Sequence, residues 1–419
     1  MEVYLESLNS NRKSWTHQEE AMKIFLTKKN GILEMATGTG KTYTAIQIMK
    51  KLLEDDKIKR IIVITYGNDL LQQWYHELLI GFCNVKIFRF FDRYKEWSKF
   101  ILEDDKSILI LSREANRIAE CLMMLEKHDG SESAQQGTLL LFDEVHGFGA
   151  SSFAKNLKGS IQKYTYRLGL SATPERDYDE TGNDFIKTEI GDIIYHFGLE
   201  DAIEKGILCS FSYLPIYYSL TDEERDKKRK VIAAYEVKRK RGIPFNENDL
   251  YRDLAKVNKT ACQKIPLFEE LIIKRPDLLD HCIMFVENRE YGLELQKMLV
   301  NHMCRYHTYY SEDTKNNLNK FSKGQIDCLI TCKKISEGID IKLAKNIILF
   351  SSDKGQIVTV QRIGRSLRKN PEEPDKEACV VDFIYNGSSN EDITTDKKRM
   401  EWLNSLAKVR EKNEIIQGI

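Results

Sequence analysis

The chain has 419 residues, too many for one hydrophobic core, and this length indicates two domains of ordinary size with a connector. Lysine plus arginine and aspartate plus glutamate both number 64, so the formal net charge is zero, which argues against a histone-like basic binder but allows a local phosphate-binding groove. The nine cysteines lack zinc spacing and the amino terminus lacks a signal-like apolar segment, so we expect reduced thiols, no membrane association and a cytoplasmic protein.

The first predicted strand, residues 32–35, ends at a glycine-rich loop that precedes a stretch of helical period at residues 42–53. Glycines let such a loop curl so that successive N–H groups point at phosphates, at the positive end of the following helix. Lys41 supplies a mobile charge and Thr42 a hydroxyl for Mg²⁺, so the pattern predicts a nucleoside triphosphate site. An ordinary turn before a helix is the alternative, because the full pattern starts with a glycine and this chain has Ala36 near that position instead. The candidate phosphate ligands are Thr37, Gly38, Thr39, Gly40, Lys41 and Thr42.

A second apolar run, residues 138–142, delivers the sequence Asp143-Glu144-Val145-His146 at its carboxyl end, where ligand sites of parallel sheets lie. Two adjacent carboxylates at a strand end suit a division of labour. Asp143 is predicted to hold Mg²⁺ through its water shell, and Glu144 to orient or deprotonate the attacking water. A solvated turn is the alternative for an isolated pair of acidic residues.

Strand-like runs alternate with helical stretches twice along the chain, which predicts two α/β units with parallel sheets. We expect domains at residues 1–205 and 266–419, joined by a connector at 206–265. The charged segment 221–258 of this connector is either a solvated helical face or an arm that rides on a nucleic acid backbone. Beyond the runs above, predicted strands lie at 61–65, 107–111, 166–170, 281–286, 328–331, 346–350 and 378–383, and predicted helices at 69–79 and 289–300.

The motifs follow one another in an order that resembles the superfamily 2 helicases and translocases over most of the chain. This resemblance implies two tandem RecA-like, doubly wound parallel-sheet domains with a helical segment between them. In the family's terms, Gln18 bonds the adenine edge, and the motif at residues 336–340 contributes to the nucleotide site. The remaining implied roles are nucleotide contact by Gly338 and Asp340, and coupling of nucleotide state to domain closure by His146, Ser171 and Thr173.

The same resemblance assigns Arg365 and Arg368 to arginine-finger positions, and Gln361 to the position that contacts the γ-phosphate or the attacking water. In a predicted helix these positions are spaced i, i+4 and i+7, so they share one face. An arginine delivered only when two domains close makes hydrolysis conditional on closure. A basic surface helix is the alternative for this segment alone.

Nucleic acid contacts are implied by the resemblance at loops where the family holds the sugar-phosphate backbone, which makes binding insensitive to sequence. Two of these residues, Tyr66 and Asn68, stand where the family usually has a proline and a small hydroxyl residue. Trp74 has helical spacing from neighbouring leucines, so we interpret it as a core residue rather than a base-stacking platform. The implied contacts are Tyr66, Asn68, Ser112, Arg113 and Thr331.

The sequence of the acidic motif disfavours the RNA-remodelling DEAD-box branch, and residues 73–74, 169–176 and 361–368 look more like DNA translocases of repair, transcription and restriction. The resemblance therefore implies an ATP-dependent DNA translocase or helicase that uses ATP and Mg²⁺. We expect a protein partner that supplies recognition or nuclease activity, in repair or genome defence. An RNA helicase and a nucleotide-gated interaction ATPase activated by a protein partner remain alternatives.

Overall fold

The computed structural model describes residues 15–176, 179–332, 343–351, 359, 363–364, 367–369, 373, 376–386 and 390–409, with no side-chain description for 248, 315 and 390–395. The chain separates into two compact units, Met1–Gly198 and Leu199–Ile419. The division lies seven residues before the boundary that we expected after residue 205. Among the described residues, no helix has the length and apolar character required to cross a membrane.

The first unit is built on a seven-stranded sheet in the order β3-β4-β2-β5-β6-β1-β7, and all its strand pairs are parallel. Its strands are β1 Asn30–Met35, β2 Arg60–Thr65, β3 Lys86–Phe90, β4 Ser107–Ser112, β5 Thr138–Asp143, β6 Tyr166–Ser171 and β7 Ile193–Phe197. Its helices are α1 Thr16–Lys28, α2 Lys41–Glu54, α3 Asn68–Gly81, α4 Trp97–Ile101, α5 Ala115–Asp129, α6 Ser131–Gly137, α7 Ser151–Leu157 and α8 Glu180–Glu189, with 3₁₀ turns at Val145–Gly149 and Ile161–Lys163.

The central strands of this sheet are continuous apolar runs because helices cover both faces of a doubly wound sheet. Every residue of β2 and of β5 is buried. The following helices bury one stripe each; in α2 this stripe includes Ala45, Ile48 and Met49, which repeat at helical spacing. Since all strands run in one direction, the loops after their carboxyl ends meet at a single edge of the sheet.

The second unit holds a six-stranded parallel sheet in the order β10-β11-β9-β12-β13-β8. Its strands are β8 Phe211–Tyr218, β9 Cys282–Phe285, β10 Tyr306–Tyr309, β11 Cys328–Thr331, β12 Asn346–Leu349 and β13 Ala378–Tyr385. Its helices are α9 Leu199–Glu204, α10 Asp222–Lys240, α11 Glu247–Lys259, α12 Lys264–Lys274, α13 Arg289–Asn301, α14 Lys315–Ser322 and α15 Asn390–Ala407, with a 3₁₀ turn at Pro276–Leu279. Two parallel sheets with alternating helices confirm the predicted fold class.

The segment expected as a connector, residues 206–265, contains β8, which pairs with β13 along eight residues of the second sheet. The charged helices α10 and α11 are therefore an insertion within the second unit. Thr221 caps α10 in a reciprocal hydrogen-bonded box with Glu224, whose other carboxylate oxygen accepts from the Cys262 amide. Several arginines of these helices pair with acidic neighbours one turn away, as expected for a solvated face.

Buried charges anchor the end of the second unit. The Arg399 guanidinium of α15 donates to both carboxylate oxygens of Asp382 on β13, at 2.8 and 3.3 Å, and to Asp396 at 2.8 Å. Asp382 is fully buried. Lys264 is also buried and donates to the carbonyl of Phe350 at 2.7 Å. Burial lowers the pKa of Lys264 to about 7, against the opposing effect of Asp396 and Asp382.

Candidate nucleotide site and nucleic acid interface

Strand register brings the predicted motifs of the first unit to one edge of its sheet. Asp143 ends β5 opposite Leu170 of β6, and Ser171 of β6 lies opposite Glu34 of β1. The acidic motif, the Ser171–Pro174 segment and the loop after β1 therefore follow three adjacent strands. Neighbouring strands lie about 4.8 Å apart, so side chains from these loops are within mutual reach.

The glycine-rich loop connects β1 to α2 through two glycines with positive φ, Gly38 at 92° and Gly40 at 88°. These values favour glycine, and they allow the tight curl that the sequence predicted. Two side chains bond the backbone of this loop. The Thr39 hydroxyl donates to the Ala36 carbonyl at 2.7 Å, and Lys41 Nζ donates to the Met35 carbonyl at 3.0 Å. Helix α2 begins at Lys41, so its positive end faces the loop.

Helix α1 supports this loop from its outer side. His17 Nε2 and Gln18 Nε2 both lie within hydrogen-bond distance of the Thr39 carbonyl, at 2.8 and 3.0 Å. The His17 ring stacks on Phe197, with ring centroids 4.1 Å apart, and Trp15 stacks on His17. The role of Gln18 toward adenine stays a prediction, while the structure shows that its amide holds the phosphate loop. The contact of His17 with this loop was not predicted, although His17 directly precedes Gln18 in the sequence.

Asp143 is buried and its carboxylate accepts two hydrogen bonds. The indole Nε1 of Trp74 donates at 2.7 Å, and the Glu144 amide donates at 3.0 Å. Burial raises the pKa of Asp143 to about 6, the charge of Glu144 adds to this rise, and the indole bond and Lys41 oppose it. Trp74 is only 1% exposed, which confirms its interpretation as a core residue. Its bond to the candidate Mg²⁺ ligand was not anticipated.

Glu144 has a left-handed backbone conformation, with φ 49° and ψ 57°. Such a conformation costs a residue other than glycine about 1–2 kcal/mol, so the surrounding contacts must hold it in place. Its Oε2 atom is buried and, among the described residues, has no hydrogen-bond partner, although His146 Nδ1 lies 3.5 Å away. A buried carboxylate oxygen without a donor beside a phosphate loop fits the binding of a nucleotide and its attacking water.

His146 links the acidic motif to the loop after β6. Its Nδ1 lies 3.3 Å from the Ser171 hydroxyl, and that hydroxyl accepts from the Thr173 amide at 3.1 Å. Burial lowers the pKa of His146 to about 4, and the charges of Arg113 and Arg176 contribute, so the imidazole is neutral at pH 7. A neutral Nδ1 lone pair can accept the Ser171 proton, which gives one continuous chain. The structure thus brings the three predicted coupling residues together.

The predicted nucleic acid contacts of the first unit lie after β2 and β4. Tyr66 is 54% exposed and Asn68, the first residue of α3, is also exposed. The Ser112 hydroxyl donates to Glu114 at 3.1 Å. Arg113 is partly buried and turns toward the acidic motif, where its Nη1 donates to the Glu144 carbonyl at 3.3 Å. Tyr66, Asn68 and Ser112 thus remain predicted contacts, and Arg113 has a further partner inside the protein.

Thr331, the predicted nucleic acid contact of the second unit, lies inside its sheet. Thr331 ends β11, a strand with neighbours on both sides, and it is fully buried. Its hydroxyl already donates to the Tyr309 carbonyl at 2.8 Å. In this conformation the hydroxyl does not face solvent, and the role of Thr331 toward the nucleic acid backbone stays a prediction.

Most predicted nucleotide contacts of the second unit lie outside the described residues. Arg368 is described and is partly buried; it forms an isolated antiparallel bridge with Leu208, and its carbonyl accepts from Lys376 Nζ at 3.3 Å. Its role as an arginine finger stays a prediction. The residues that lie outside are Gly338, Asp340, Gln361 and Arg365.

The fold and the first unit's site define a nucleoside triphosphatase of the phosphate-loop class, built from two RecA-like units. Two family models match the chain in order. The model of the type III restriction enzyme res subunit matches residues 12–176, and the helicase conserved C-terminal domain matches residues 263–370. The chain belongs to the superfamily 2 helicases and translocases, which confirms the resemblance seen in its motifs. Members of this superfamily are nucleic-acid-dependent ATP hydrolases.

Individual relatives are about a quarter identical to this chain over the aligned residues. The DNA 3'-5' translocase XPB2 of Sulfurisphaera tokodaii is 25% identical over 410 residues, which cover 92% of this chain and 84% of the relative. A type I restriction enzyme EcoAI endonuclease subunit of Escherichia coli is 24% identical over 84% of this chain, but the match spans only 43% of that subunit. The Hef helicase domain of Pyrococcus furiosus has the same fold, with a TM-score of 0.59 at 13% identity, covering 92% of this chain and 98% of that domain.

Proposed function

We propose that the protein is an ATP-dependent DNA translocase or helicase that acts as a motor in a repair or restriction system. One observation carries the ATPase part: the phosphate loop, Asp143 and Glu144 lie at adjacent strand ends. The Glu144 Oε2 atom there is buried and has no hydrogen-bond donor in the described part of the chain. DNA is proposed as the substrate because the XPB2 relative is a DNA translocase, and the EcoAI relative is a restriction endonuclease subunit.

The residues of the first unit suit the binding of ATP with Mg²⁺. The loop amides and Lys41 would hold the phosphates, and Thr42 and Asp143 would hold the metal ion. A bound magnesium nucleotide supplies the phosphoanhydride bond that is cleaved. Glu144 then orients water and accepts its proton through the buried Oε2 atom. In the second unit, the proposed contributors are Gln361, Arg365 and Arg368, with Gly338 and Asp340 at the nucleotide.

The proposed DNA contacts are Tyr66, Asn68, Ser112 and Arg113, at the same edge of the sheet as the nucleotide loop. Contacts of this kind would hold the sugar-phosphate backbone and allow movement that is independent of sequence. A protein partner that supplies recognition or cutting is proposed from the EcoAI relative, of which this chain matches less than half. RNA as substrate and activation by a protein partner alone are the two alternatives.

The catalytic assignment is tested by steady-state ATP hydrolysis. Lys41→Ala and Glu144→Gln are each expected to reduce turnover about a hundredfold or more, because a positioned base alone contributes about 10²–10⁴ in rate. Glu120→Gln is the matched control, since Glu120 is an exposed glutamate within α5. Turnover by Glu144→Gln within a few-fold of the wild type would refute Glu144 as the base.

The substrate assignment is tested by comparing ATP turnover with single-stranded DNA, duplex DNA and RNA of equal length. The proposal expects DNA to stimulate turnover and RNA to do so less, because a grip on the backbone can sense the 2′-hydroxyl and helix shape. Displacement of a third strand from a DNA triplex then reports translocation, and forked duplexes report unwinding. Stronger stimulation by RNA would favour an RNA helicase, and no effect of nucleic acid would favour activation by a protein.

A further inference from the structure

One side chain spans three strand ends at the edge of the first sheet. Arg113 follows β4, Tyr66 follows β2 and Glu144 follows β5, and these strands are adjacent in the order β4-β2-β5. The Arg113 amide donates to the Thr65 carbonyl at 2.8 Å, which fixes its backbone to the end of β2. Its guanidinium continues past β2 and donates to the Glu144 carbonyl at 3.3 Å. Arg113 thus joins a predicted DNA loop to the acidic motif.

Two aromatic rings hold the Arg113 guanidinium along this path. Its carbon Cζ lies 4.9 Å from the Tyr66 ring centroid and 5.5 Å from that of Phe148. Phe148 is fully buried, whereas Tyr66 is 54% exposed. The guanidinium therefore has one contact that the core fixes and one that a molecule bound at the surface can move. Gly147 also borders it, because a Cβ added there would overlap Arg113 Nη1.

The hydrogen bond from Arg113 is accepted by the carbonyl of Glu144, whose backbone conformation is unfavourable. Glu144 is in the left-handed region, which few residues other than glycine occupy. Its carbonyl accepts from Arg113 Nη1 at 3.3 Å and from the Gly147 amide at 3.0 Å, while its Oε2 atom has no hydrogen-bond partner among the described residues. A change at the Arg113 guanidinium would therefore alter the peptide on which the proposed catalytic carboxylate is carried.

We infer that Arg113 is a positioning residue that couples DNA binding at Tyr66 to the orientation of Glu144, and so sets how strongly DNA stimulates ATP turnover. This inference rests on the proposed function. It replaces the direct contact of Arg113 with the DNA backbone that the family resemblance implied and that we proposed above. A direct contact to phosphate is a charge interaction that lysine also makes, whereas stacking between two rings and donation from the planar fork require arginine.

The two roles are separated by kinetics. A phosphate contact contributes to DNA affinity, so its loss raises the DNA concentration that gives half of the maximal stimulation and leaves the maximum unchanged. A coupling residue contributes to the maximum itself. The measured quantity is the stimulation factor, defined as ATP turnover at saturating DNA divided by turnover without DNA. DNA affinity is measured separately by fluorescence anisotropy at the same salt concentration.

The experiment uses the full chain with Arg113→Lys, which keeps the charge, and Gly147→Ala, which keeps Arg113 but displaces its guanidinium. Arg117→Lys is the matched control, because Arg117 in α5 also lies over an aromatic ring, Phe90 at 5.3 Å, and pairs with Glu114 at 3.0 Å. Circular dichroism establishes that each variant is folded. We expect both test variants to lose at least fivefold of the stimulation factor, with DNA affinity within threefold of the wild type, and the control to retain both.

A stimulation factor within twofold of the wild type in Arg113→Lys and in Gly147→Ala would overturn the inference, whatever happens to affinity. A reduced factor in Gly147→Ala with an unchanged Arg113→Lys would also overturn it, because the lysine variant would then show that the planar fork is not required. If the wild-type chain itself shows no stimulation by DNA, the proposed function and this inference both fail. Stimulation of the wild type with unchanged variants rejects the coupling role only.

Discussion

Replacement of Trp74 by phenylalanine should destabilise the first unit through the loss of one hydrogen bond to Asp143. The indole N–H donates at 2.7 Å to a buried carboxylate, and a bond to a charged group contributes about 1.5–3 kcal/mol. The smaller ring also leaves space equal to about two methylene groups, each of which contributes about 0.8 kcal/mol when buried. We therefore expect Trp74→Phe to lower the free energy of unfolding of the first unit by about 3–5 kcal/mol.

The hydrogen bond can be separated from the packing by a double-mutant cycle with Asp143→Asn. At pH 7.5 Asp143 is ionised, because its pKa is raised only to about 6. An amide acceptor replaces a charged bond by a neutral one, which contributes about 0.5–1.5 kcal/mol. The coupling free energy should therefore be about 1 kcal/mol. Hydrogen–deuterium exchange of the β5 amides measures it, since these amides report the opening of the first unit without the second.

The matched control is Trp97→Phe, which makes the same change in volume at a tryptophan that packs on Phe90. Its effect should add to that of Asp143→Asn within about 0.3–0.5 kcal/mol, as expected for sites without shared partners. If the effects of Trp74→Phe and Asp143→Asn on the free energy of unfolding also add within about 0.3–0.5 kcal/mol, the reasoning is refuted. Such additivity would mean that the 2.7 Å contact does not stabilise the carboxylate and that Trp74 acts through packing alone.

Three further substitutions test other parts of the molecule. The pKa of Lys264 is about 7 in the fold and 10.5 ordinarily, so between these values the unfolded chain binds more protons and the second unit gains stability as pH rises. Lys264→Met should remove that gain when urea unfolding is compared at pH 7 and pH 9.5. An unchanged dependence of the unfolding free energy on pH in this variant would contradict the reasoning. Arg399→Met leaves the charge of Asp382 buried and should cost about 3–5 kcal/mol, which the double change with Asp382→Leu should largely restore; a fully stable single variant would contradict this. Gly40→Ala places a Cβ against Gln18 at positive φ and should weaken ATP binding about tenfold in a calorimetric titration, whereas unchanged affinity would show that the loop adapts.

The sequence predicted the central strands of both sheets and missed the strands at the edges. A central strand is covered on both faces, so it appears as a continuous apolar run, as in the fully buried β2 and β5. The edge strands β3, β7, β8 and β10 are only partly buried and carry polar residues among the apolar ones. Missing β8 also left residues 206–265 as a connector, although β8 pairs within the second sheet.

The candidate site was predictable where its chemistry is local in sequence. The phosphate loop and the acidic motif are short patterns whose backbone conformations follow from glycine and from a strand end. The bond from Trp74 to Asp143 joins residues 69 positions apart, and the bond from Arg113 to Glu144 spans 31. Neither can be predicted without the order of the strands. The same limit explains Thr331, because its burial depends on the strands that pair on either side of β11.

The order β4-β2-β5 places a physical condition on any coupling between the loop after β4 and the acidic motif after β5. Adjacent strands are about 4.8 Å apart, so a side chain that starts beyond β4 must reach about 10 Å across the end of β2. Arginine is long enough to approach this distance, and its planar fork can stack on Tyr66 while it donates to the Glu144 carbonyl. The residue that follows β2 therefore cannot be independent of the link, because its ring lies on the path. A DNA strand that contacts exposed Tyr66 would act on the ring that holds Arg113. The loop after β2 and the peptide of Glu144, the proposed catalytic residue, are therefore linked through one side chain.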